Sequence, residues 1–249
     1  MIVIDGPAEL SGELKVQGAK NSTLPLLAAT VLCRGQTVLH NCPRLSDVDT
    51  AVRILEHLGS RCHWEEGSLV VDNSMTCCQV PPDLMRGMRS SIVFLGPSSP
   101  GAERRSSRSP AAASWAPAHR PAHRGPGKAG GGDPRVRRLP ALPGPRGHPG
   151  TYISLSFPSV GATENVILAS VCSQALPSSP TPPGTGDHRP VRYLNRCGGR
   201  VYGAGESCVI IDGVKELFGC EHTVMPDRIA TVTYMAAAAV TSLKMEPGV

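Results

Sequence analysis

Apolar residues recur along this chain at spacings that predict helices joined by short loops. The block from Leu24 to Leu32 is almost continuously apolar, and Pro25 suits the first turn of a helix because its missing N–H would find no intrahelical partner there. Apolar residues at positions 48, 52, 54, 55 and 58 predict an amphipathic helix, with Ser46 and Asp47 as candidate N-caps and Gly59 after its end.

A hairpin is predicted directly after the second helix. Residues 60–72, SRCHWEEGSLVVD, alternate in polarity around a turn at Glu66 and Gly67. Apolar positions within residues 1–16, among them Leu14 and Val16, predict two further short strands. Helix, glycine and hairpin form one unit of this chain.

The same unit occurs a second time. The segments ILEHLGSRCHWEEGSLVVD from Ile54 and YLNRCGGRVYGAGESCVIID from Tyr193 share a helix end, a glycine, an arginine two residues later and a closing aspartate. An internal repeat of this kind favours an architecture built from copies of one unit over a single doubly wound sheet.

Net charge is concentrated in one segment. The chain has a formal charge of +5, but residues 97–150 carry ten basic and two acidic residues, and the remaining residues carry 15 basic and 18 acidic ones. The excess of basic residues therefore belongs to residues 97–150 and not to the rest of the chain, where the helices and strands are predicted. A nucleic-acid partner is not predicted, because that part has a net charge of −3 and the basic segment lacks interleaved aromatic residues.

The nine cysteines show no pattern typical of a metal site or a disulfide framework. No C-x-x-C pair occurs, and Cys77 and Cys78 are adjacent, which is poor geometry for a disulfide. We expect reduced thiols, no metal and no cofactor. The sequence shows no signal-peptide pattern and no apolar run long enough to span a membrane, so a cytoplasmic chain without a membrane partner is predicted.

A candidate anion site lies before the first predicted helix. Gly18, Lys20 and Asn21 fall in what is predicted to be a polar loop at the helix start, where free backbone N–H groups and the helix dipole add to the lysine charge. The alternative is a solvated loop lysine without a ligand.

Four strings together are far more specific than this spacing. GAKNSTLPLLAATVL, HNCPRLSDVDTAVRILEHLG, FPSVGATENVILAS and YGAGESCVIIDGVKELFGCEHTVMPDRIATVTYMAAAAV resemble the enolpyruvyl transferases, in the order that this family has them. Within the family they resemble the branch that acts on UDP-N-acetylglucosamine. The resemblance covers residues 1–96, 151–171 and 191–249.

The resemblance implies an α/β fold, an inverse α/β barrel of repeated βα-hairpin units in two domains, with helices inside, sheets outside and the active site in the cleft between the domains. We expect about the first half of that plan in this chain. Residues 1–20 would belong to the split domain, 21–228 to the first domain, interrupted at 97–150 and 173–190, and 229–249 to the start of the second domain.

The implied reaction moves the enolpyruvyl group of phosphoenolpyruvate to the 3-hydroxyl of UDP-N-acetylglucosamine and releases phosphate, the first committed step of peptidoglycan synthesis. The resemblance gives Lys20 and Arg89 the role of neutralising substrate anions, while Asn21 positions substrate. Ser159, Val160 and Gly161 would contact the uridine diphosphate.

Residues 97–150 and 173–190 depart from the family pattern. The first segment contains 11 prolines and nine glycines. We interpret both as codons translated in a shifted frame, because shifted codons across Ser109–Trp115 permit Pro-Gly-Gly-Cys-Glu-Leu, the family's reactive-cysteine loop. The lost cysteine codon would straddle Ala112 and Ala113, and we therefore expect this chain itself to be inactive.

Two other hypotheses remain. One is the related transferase that acts on 3-phosphoshikimate, which the strings GAKNS and FPSVGATEN disfavour. The other is a non-enzymatic fragment with a disordered basic linker at 97–150.

Overall fold

A computed structural model describes residues 3, 12–74, 84, 93–94, 136–139, 151–155, 159–172, 177–180, 188–206 and 208–241. Side chains are described for most of these residues, but not for the strands in 136–139, 151–155 and 177–180 or for residues 188 and 189. All structural statements below concern this part of the chain.

The helices and strands come in three groups along the chain. The first group holds α1 (Lys20–Thr30), β1 (Cys33–His40), α2 (Ser46–His57), β2 (Arg61–Glu65) and β3 (Ser68–Asn73). The second holds β4 (Val136–Leu139), β5 (Thr151–Leu155), α3 (Val160–Ser170), β6 (Pro177–Pro180), α4 (His188–Arg196), β7 (Val201–Tyr202) and β8 (Cys208–Ile211). The third holds β9 (Leu217–Phe218), β10 (Glu221–Thr223) and α5 (Arg228–Val240).

The described strands form two five-stranded sheets. In the first sheet the order is β10-β1-β3-β2, with β9 also paired to β1, and in the second the order is β4-β5-β6-β8-β7. Strands β9 and β10 run parallel to β1, whereas β3 runs antiparallel to it. The chain thus returns after residue 216 to complete the first sheet.

Helix α1 lies inside the molecule and the sheets lie outside it. Every α1 residue from Ser22 to Thr30 is buried, whereas β2 alternates between exposed and half-buried residues. Because residues 22–30 of α1 are buried whichever side of the helix they lie on, this helix has neighbours on all sides. Both α2 and α4 pack against it. The expected α/β arrangement is therefore confirmed for α1 and the first sheet, whereas α5 is exposed along most of its length.

The two predicted hairpin units are confirmed in position and in local geometry. Gly59 and Gly198 both have positive φ, 102° and 98°, at the ends of α2 and α4. In each unit the next N–H, of Ser60 or Gly199, donates to the carbonyl of a leucine five residues earlier in the helix. A glycine in the left-handed region is a common helix ending, which explains why the motif repeats there.

Each hairpin keeps the arginine and aspartate of the repeat side by side. Arg61 and Asp72 are cross-strand partners in the first unit. In the second, Arg200 Nη1 lies 3.5 Å from Asp212 Oδ2. The first hairpin turns at Glu66 and Gly67, which have φ of 45° and 79°, as predicted.

Three local predictions were wrong. Residues 12–17, including Leu14 and Val16, form no strand, although Gln17 O accepts the N–H of Asp227 and Gly18 forms an isolated bridge with Pro226. The other strand predicted within residues 1–16 lies, apart from Val3, outside the described residues. Ser46 and Asp47 do not cap α2, because Leu45 is its N-cap. Pro25 lies in the second turn of α1, since that helix begins five residues earlier, at Lys20.

The described part of the chain contains no helix that is both long and apolar enough to cross a membrane.

Candidate functional site

Lys20 and Asn21 are the first two residues of α1, so the predicted loop is a helical turn. Ala19 is the N-cap in extended conformation, and its carbonyl accepts hydrogen bonds from the N–H groups of Ser22 and Thr23. The Thr23 hydroxyl donates to the same carbonyl at 2.9 Å. These contacts extend the helix to Lys20 and place both side chains at its positive end.

Lys20 has a partner that the sequence did not indicate. Its Nζ donates to Asp47 Oδ2 at 2.9 Å, and the two side chains are 42% and 27% exposed. Asp47 lies in the first turn of α2. This half-exposed ion pair orients the ammonium group, although such pairs add little to stability. The lysine is thus held in one place and remains open to solvent.

The chain before Lys20 is fixed between two other segments. Ala19 N–H donates to Met225 O at 2.8 Å, and Asp227 N–H donates to Gln17 O at 2.9 Å. A Cβ at Gly18 would overlap the carbonyl oxygen of Asn41 and approach a Val224 methyl group. Only glycine permits this close approach, so Gly18 determines how α1 enters the site.

Asn41 is a second residue that sequence reasoning missed. It has a φ of 54°, and its Nδ2 donates to Val224 O at 3.1 Å. Asparagine tolerates the left-handed region better than most residues. Its place directly after β1 and before the apolar Cys42 was the available signal for a turn at this point.

Ser159, Val160 and Gly161 form the start of α3. The Ser159 hydroxyl caps the helix by accepting the N–H of Ala162 at 3.3 Å. Val160 is 39% exposed, and there is open space around Gly161. A capped, exposed helix start presents N–H groups to solvent and favours an anion.

The structure does not join these two helix starts directly. In the described residues, no hydrogen bond or ion pair connects Lys20 or Asn21 with residues 159–161. The remaining predicted site positions, Arg89 and the Ala112–Ala113 pair, lie outside the described residues. Their roles stay predictions.

The loop from β1 to α2 carries a second cation, Arg44, three residues before Asp47. The Arg44 guanidinium lies 4.2 Å from the centroid of the Trp64 ring, which is a cation–π contact. Burial raises the pKa of Cys42 to about 12, and the positive charge of Arg44 opposes that rise only in part. Cys42 is therefore a protonated core residue, and Arg44 is held against the first hairpin.

Metal-ligating side chains do not converge anywhere in the described ranges. No group of three or more histidine, cysteine or acidic residues there could hold a metal ion.

The model of one protein family matches most of the chain. Its description is EPSP synthase (3-phosphoshikimate 1-carboxyvinyltransferase), and it matches residues 4–109 and 142–245. The chain belongs to the EPSP synthase family. The match omits residues 110–141, inside the segment 97–150 that was predicted to depart from the family, but it includes residues 97–109, 142–150 and 173–190, where no resemblance was expected.

Relatives of known function are similar along almost the whole chain. UDP-N-acetylglucosamine 1-carboxyvinyltransferase 2 of Caldanaerobacter subterraneus subsp. tengcongensis is 39% identical over 245 residues, which is 96% of this chain and 58% of the relative. UDP-N-acetylglucosamine 1-carboxyvinyltransferase of Thermotoga petrophila is 33% identical over 244 residues, with the same coverage. The chain thus spans somewhat more than half the length of these relatives.

Solved structures share the fold at lower sequence identity. The enolpyruvyl transferase NikO from Streptomyces tendae is 18% identical, with a TM-score of 0.66 over 94% of this chain and 56% of NikO. EPSP synthase from Acinetobacter baumannii is 14% identical, with a TM-score of 0.59 over 92% of this chain and 53% of that enzyme. The predicted enolpyruvyl transferase fold is confirmed.

Proposed function

We propose that this chain serves the transfer of the enolpyruvyl group from phosphoenolpyruvate to the 3-hydroxyl of UDP-N-acetylglucosamine, with release of phosphate. The observation that carries the proposal is the solvent-open Lys20 ammonium, held by Asp47 at the positive end of α1 in a chain whose relatives are named for this reaction. A cytoplasmic location suits this reaction, because both substrates are soluble cytoplasmic metabolites.

Lys20 supplies the charge that the reaction needs. Phosphoenolpyruvate carries phosphate and carboxylate groups, and charge shifts between them as the tetrahedral intermediate forms and phosphate leaves. A fixed ammonium beside a helix start stabilises that charge without rearranging. Asp47 keeps the ammonium in place before the substrate arrives, and the phosphate then shares Lys20 with it.

The other proposed residues act on substrate position. The Asn21 amide, one residue further along α1, hydrogen-bonds substrate oxygens, and the start of α3 at 159–161 binds the diphosphate of the sugar nucleotide. Arg89 adds a guanidinium to the anion site. A domain division near residues 20 and 228 is part of this proposal, and it is supported by the hydrogen bonds that pair residues 17–19 with 225–227.

The chain by itself is proposed to be inactive. The family's reactive cysteine has no counterpart between Cys78 and Cys172, a stretch without any cysteine. Purified chain with both substrates should therefore release no inorganic phosphate. Sequencing the coding DNA across residues 95–151 tests the proposed frame shift directly, because one of the shifted frames must spell the cysteine loop.

A chimera tests the substrate assignment. Residues 97–150 and 173–190 take the sequence of the Caldanaerobacter relative, and the part of that relative beyond this chain is appended. We expect phosphate release from phosphoenolpyruvate with UDP-N-acetylglucosamine and none with 3-phosphoshikimate. Release with 3-phosphoshikimate would instead assign the chain to the activity named in the family description. A folded chimera that is inactive with both acceptors would refute the proposal.

A further inference from the structure

Three thiols and one phenol lie together where α4 packs against the first sheet. Cys197 follows the last residue of α4, Cys220 lies between β9 and β10, and their Sγ atoms are 3.5 Å apart. The Tyr193 hydroxyl lies 3.5 Å from Cys33 Sγ and 2.9 Å from Thr37 Oγ1. This group lies outside the candidate site, and the proposed reaction does not use it.

We propose that Cys197 and Cys220 form a reversible thiol modification site, at which a low-molecular-weight disulfide such as oxidised glutathione is exchanged for an internal Cys197–Cys220 disulfide. Cys220 is the entry point, because it is only half-buried, whereas Cys197 is 2% exposed. Cys197 resolves the adduct from inside the molecule.

The exchange balances without any further reactant. The Cys220 thiolate attacks one sulfur of oxidised glutathione, which breaks that S–S bond, forms a mixed disulfide and releases one glutathione thiolate. The Cys197 thiol then loses its proton and attacks the Cys220 sulfur, which releases the second glutathione. Two protein thiols are oxidised, one glutathione disulfide is reduced, and the two protons pass to the released thiolates.

The backbone around both cysteines is already in position for this bond. Cys197 O accepts the N–H of Phe218 at 2.9 Å, and Glu221 O accepts from Arg196 Nη1 at 3.4 Å. The end of α4 and the β9–β10 segment are therefore fixed to each other on either side of the thiols. The two Sγ atoms, now 3.5 Å apart, must approach to about 2.05 Å for the disulfide to form.

Burial makes the exchange slow near neutral pH. Burial and the neighbouring Cys197 together raise the pKa of Cys220 to about 12, against the opposing effect of the Arg196 guanidinium. The hydrogen bond with the Cys33 thiol, and then burial, also raise the pKa of Cys197. His222, whose ring packs edge-on against Tyr193, adds no positive charge at neutral pH, because burial and the nearby Arg196 and Arg192 lower its pKa. Tyr193 adds no negative charge, because burial raises its pKa. Because the thiolate is the attacking species, the site responds to sustained oxidation and not to brief exposure.

The disulfide should stabilise the fold. It would link two residues 23 positions apart and so restrict the unfolded chain. For a chain of this length we expect the Tm of the oxidised form to rise by roughly 5–10 °C, and addition of dithiothreitol should reverse that rise.

The experiment uses the full chain with Cys77 and Cys78 changed to serine, so that these two thiols cannot exchange. The protein is incubated with oxidised glutathione at about pH 9, where the thiolate fraction is larger. Disulfide-linked peptides are then mapped by mass spectrometry without reduction, and the Tm is measured. We expect a Cys197–Cys220 link in the protein and a stable glutathione adduct on Cys220 in the Cys197→Ser variant.

Cys62 offers a matched control. It is also half-buried, and burial also raises its pKa to about 12, but no thiol contact to it is found in the described residues. The Cys62→Ser variant should keep the link and the rise in Tm, whereas Cys220→Ser should lose both. Circular dichroism checks that each variant is folded. If Cys220→Ser does not fold, Cys220→Ala takes its place.

Three results would overturn the proposal. One is the absence of a Cys197–Cys220 link in folded protein, another is a link from Cys197 to Cys33 in its place, and the third is a link without any rise in Tm. None of these results bears on the proposed transferase activity, which is tested separately by phosphate release.

Discussion

At the scale of single residues, Gly18 is the position at which one added carbon would disturb the site most. A Cβ there would overlap the Asn41 carbonyl oxygen, and that backbone cannot move without losing the hydrogen bond from Asn41 to Val224. We expect Gly18→Ala to lower the free energy of unfolding by about 2 kcal/mol, as measured by urea denaturation.

Gly161 is the control for this substitution. There is open space around its Cβ position, and it lies in the first turn of α3. Gly161→Ala should leave the unfolding free energy unchanged or raise it by about 0.5 kcal/mol, because alanine favours helix. If both variants lowered the unfolding free energy equally, the close contact between Gly18 and Asn41 would not contribute to stability.

Lys20 is tested in the active chimera. Lys20→Ala removes a charge-assisted contact worth about 1.5–3 kcal/mol, which corresponds to a loss in kcat/KM for phosphoenolpyruvate of roughly 10-fold to 150-fold. Because the contact strengthens as charge develops, kcat should fall as well as KM rise. Lys20→Arg should not restore the rate, because the planar guanidinium group of arginine does not fit a site shaped for the compact ammonium group of lysine.

Lys15 is the control for Lys20. It is exposed and lies five residues before Lys20, so Lys15→Ala makes the same change in net charge. Its kinetics should match those of the unchanged chimera. If Lys20→Ala also kept full kcat/KM, Lys20 would be a surface lysine and not part of a substrate site.

At the scale of elements, Asn73 holds the end of α1 to the first hairpin. Its Nδ2 shares two N–H donors among the carbonyl oxygens of Thr30 and Val31, at 3.0 Å each, and of Cys33, and its Oδ1 accepts from Ser60 Oγ at 3.2 Å. One side chain thus satisfies carbonyls that the helix leaves free at its end.

We expect Asn73→Asp to lower the unfolding free energy by 2 kcal/mol or more at about pH 7, because a carboxylate cannot donate and would repel the carbonyl oxygens. Asp72→Asn is the neighbouring control, since Asp72 is exposed in the same strand, and it should stay within about 0.5 kcal/mol. Urea denaturation measures both. If Asn73→Asp lowered the unfolding free energy by less than about 0.5 kcal/mol, solvent would be replacing these hydrogen bonds.

At the scale of the whole molecule, Tyr193 connects the two repeat units. It is fully buried on α4, and its hydroxyl hydrogen-bonds to Thr37 Oγ1 on β1, 156 positions away in sequence. Burial raises the pKa of Tyr193 well above its ordinary value, so the phenol stays protonated and can donate. The bond therefore joins the second unit to the first sheet.

A double-mutant cycle measures this connection. Tyr193→Phe should cost about 1–2 kcal/mol, because it leaves the buried Thr37 hydroxyl without this partner. Thr37→Val should cost less in the Tyr193→Phe background than in the unchanged chain, which gives a coupling of about 1 kcal/mol in urea denaturation. Strictly additive losses would show that the contact does not hold the units together.

Local signals in the sequence determined α2, the first hairpin and the repeat, including Gly59 and Gly198 at the helix ends. These features depend on periodicity and turn chemistry within a few residues, so sequence alone carries them. The same holds for family membership, since the strings around Lys20 and Ser159 are contiguous.

Only the tertiary structure decided where α1 begins, which residue holds Lys20, and which thiols meet. Asp47 lies 27 positions from Lys20, and Cys220 lies 23 from Cys197. No periodicity relates such pairs, because their distance depends on how α2 and α4 pack around α1. The start of α1 at Lys20 depends in the same way on the hydrogen bonds that fix Ala19 against Met225, a contact between distant parts of the chain.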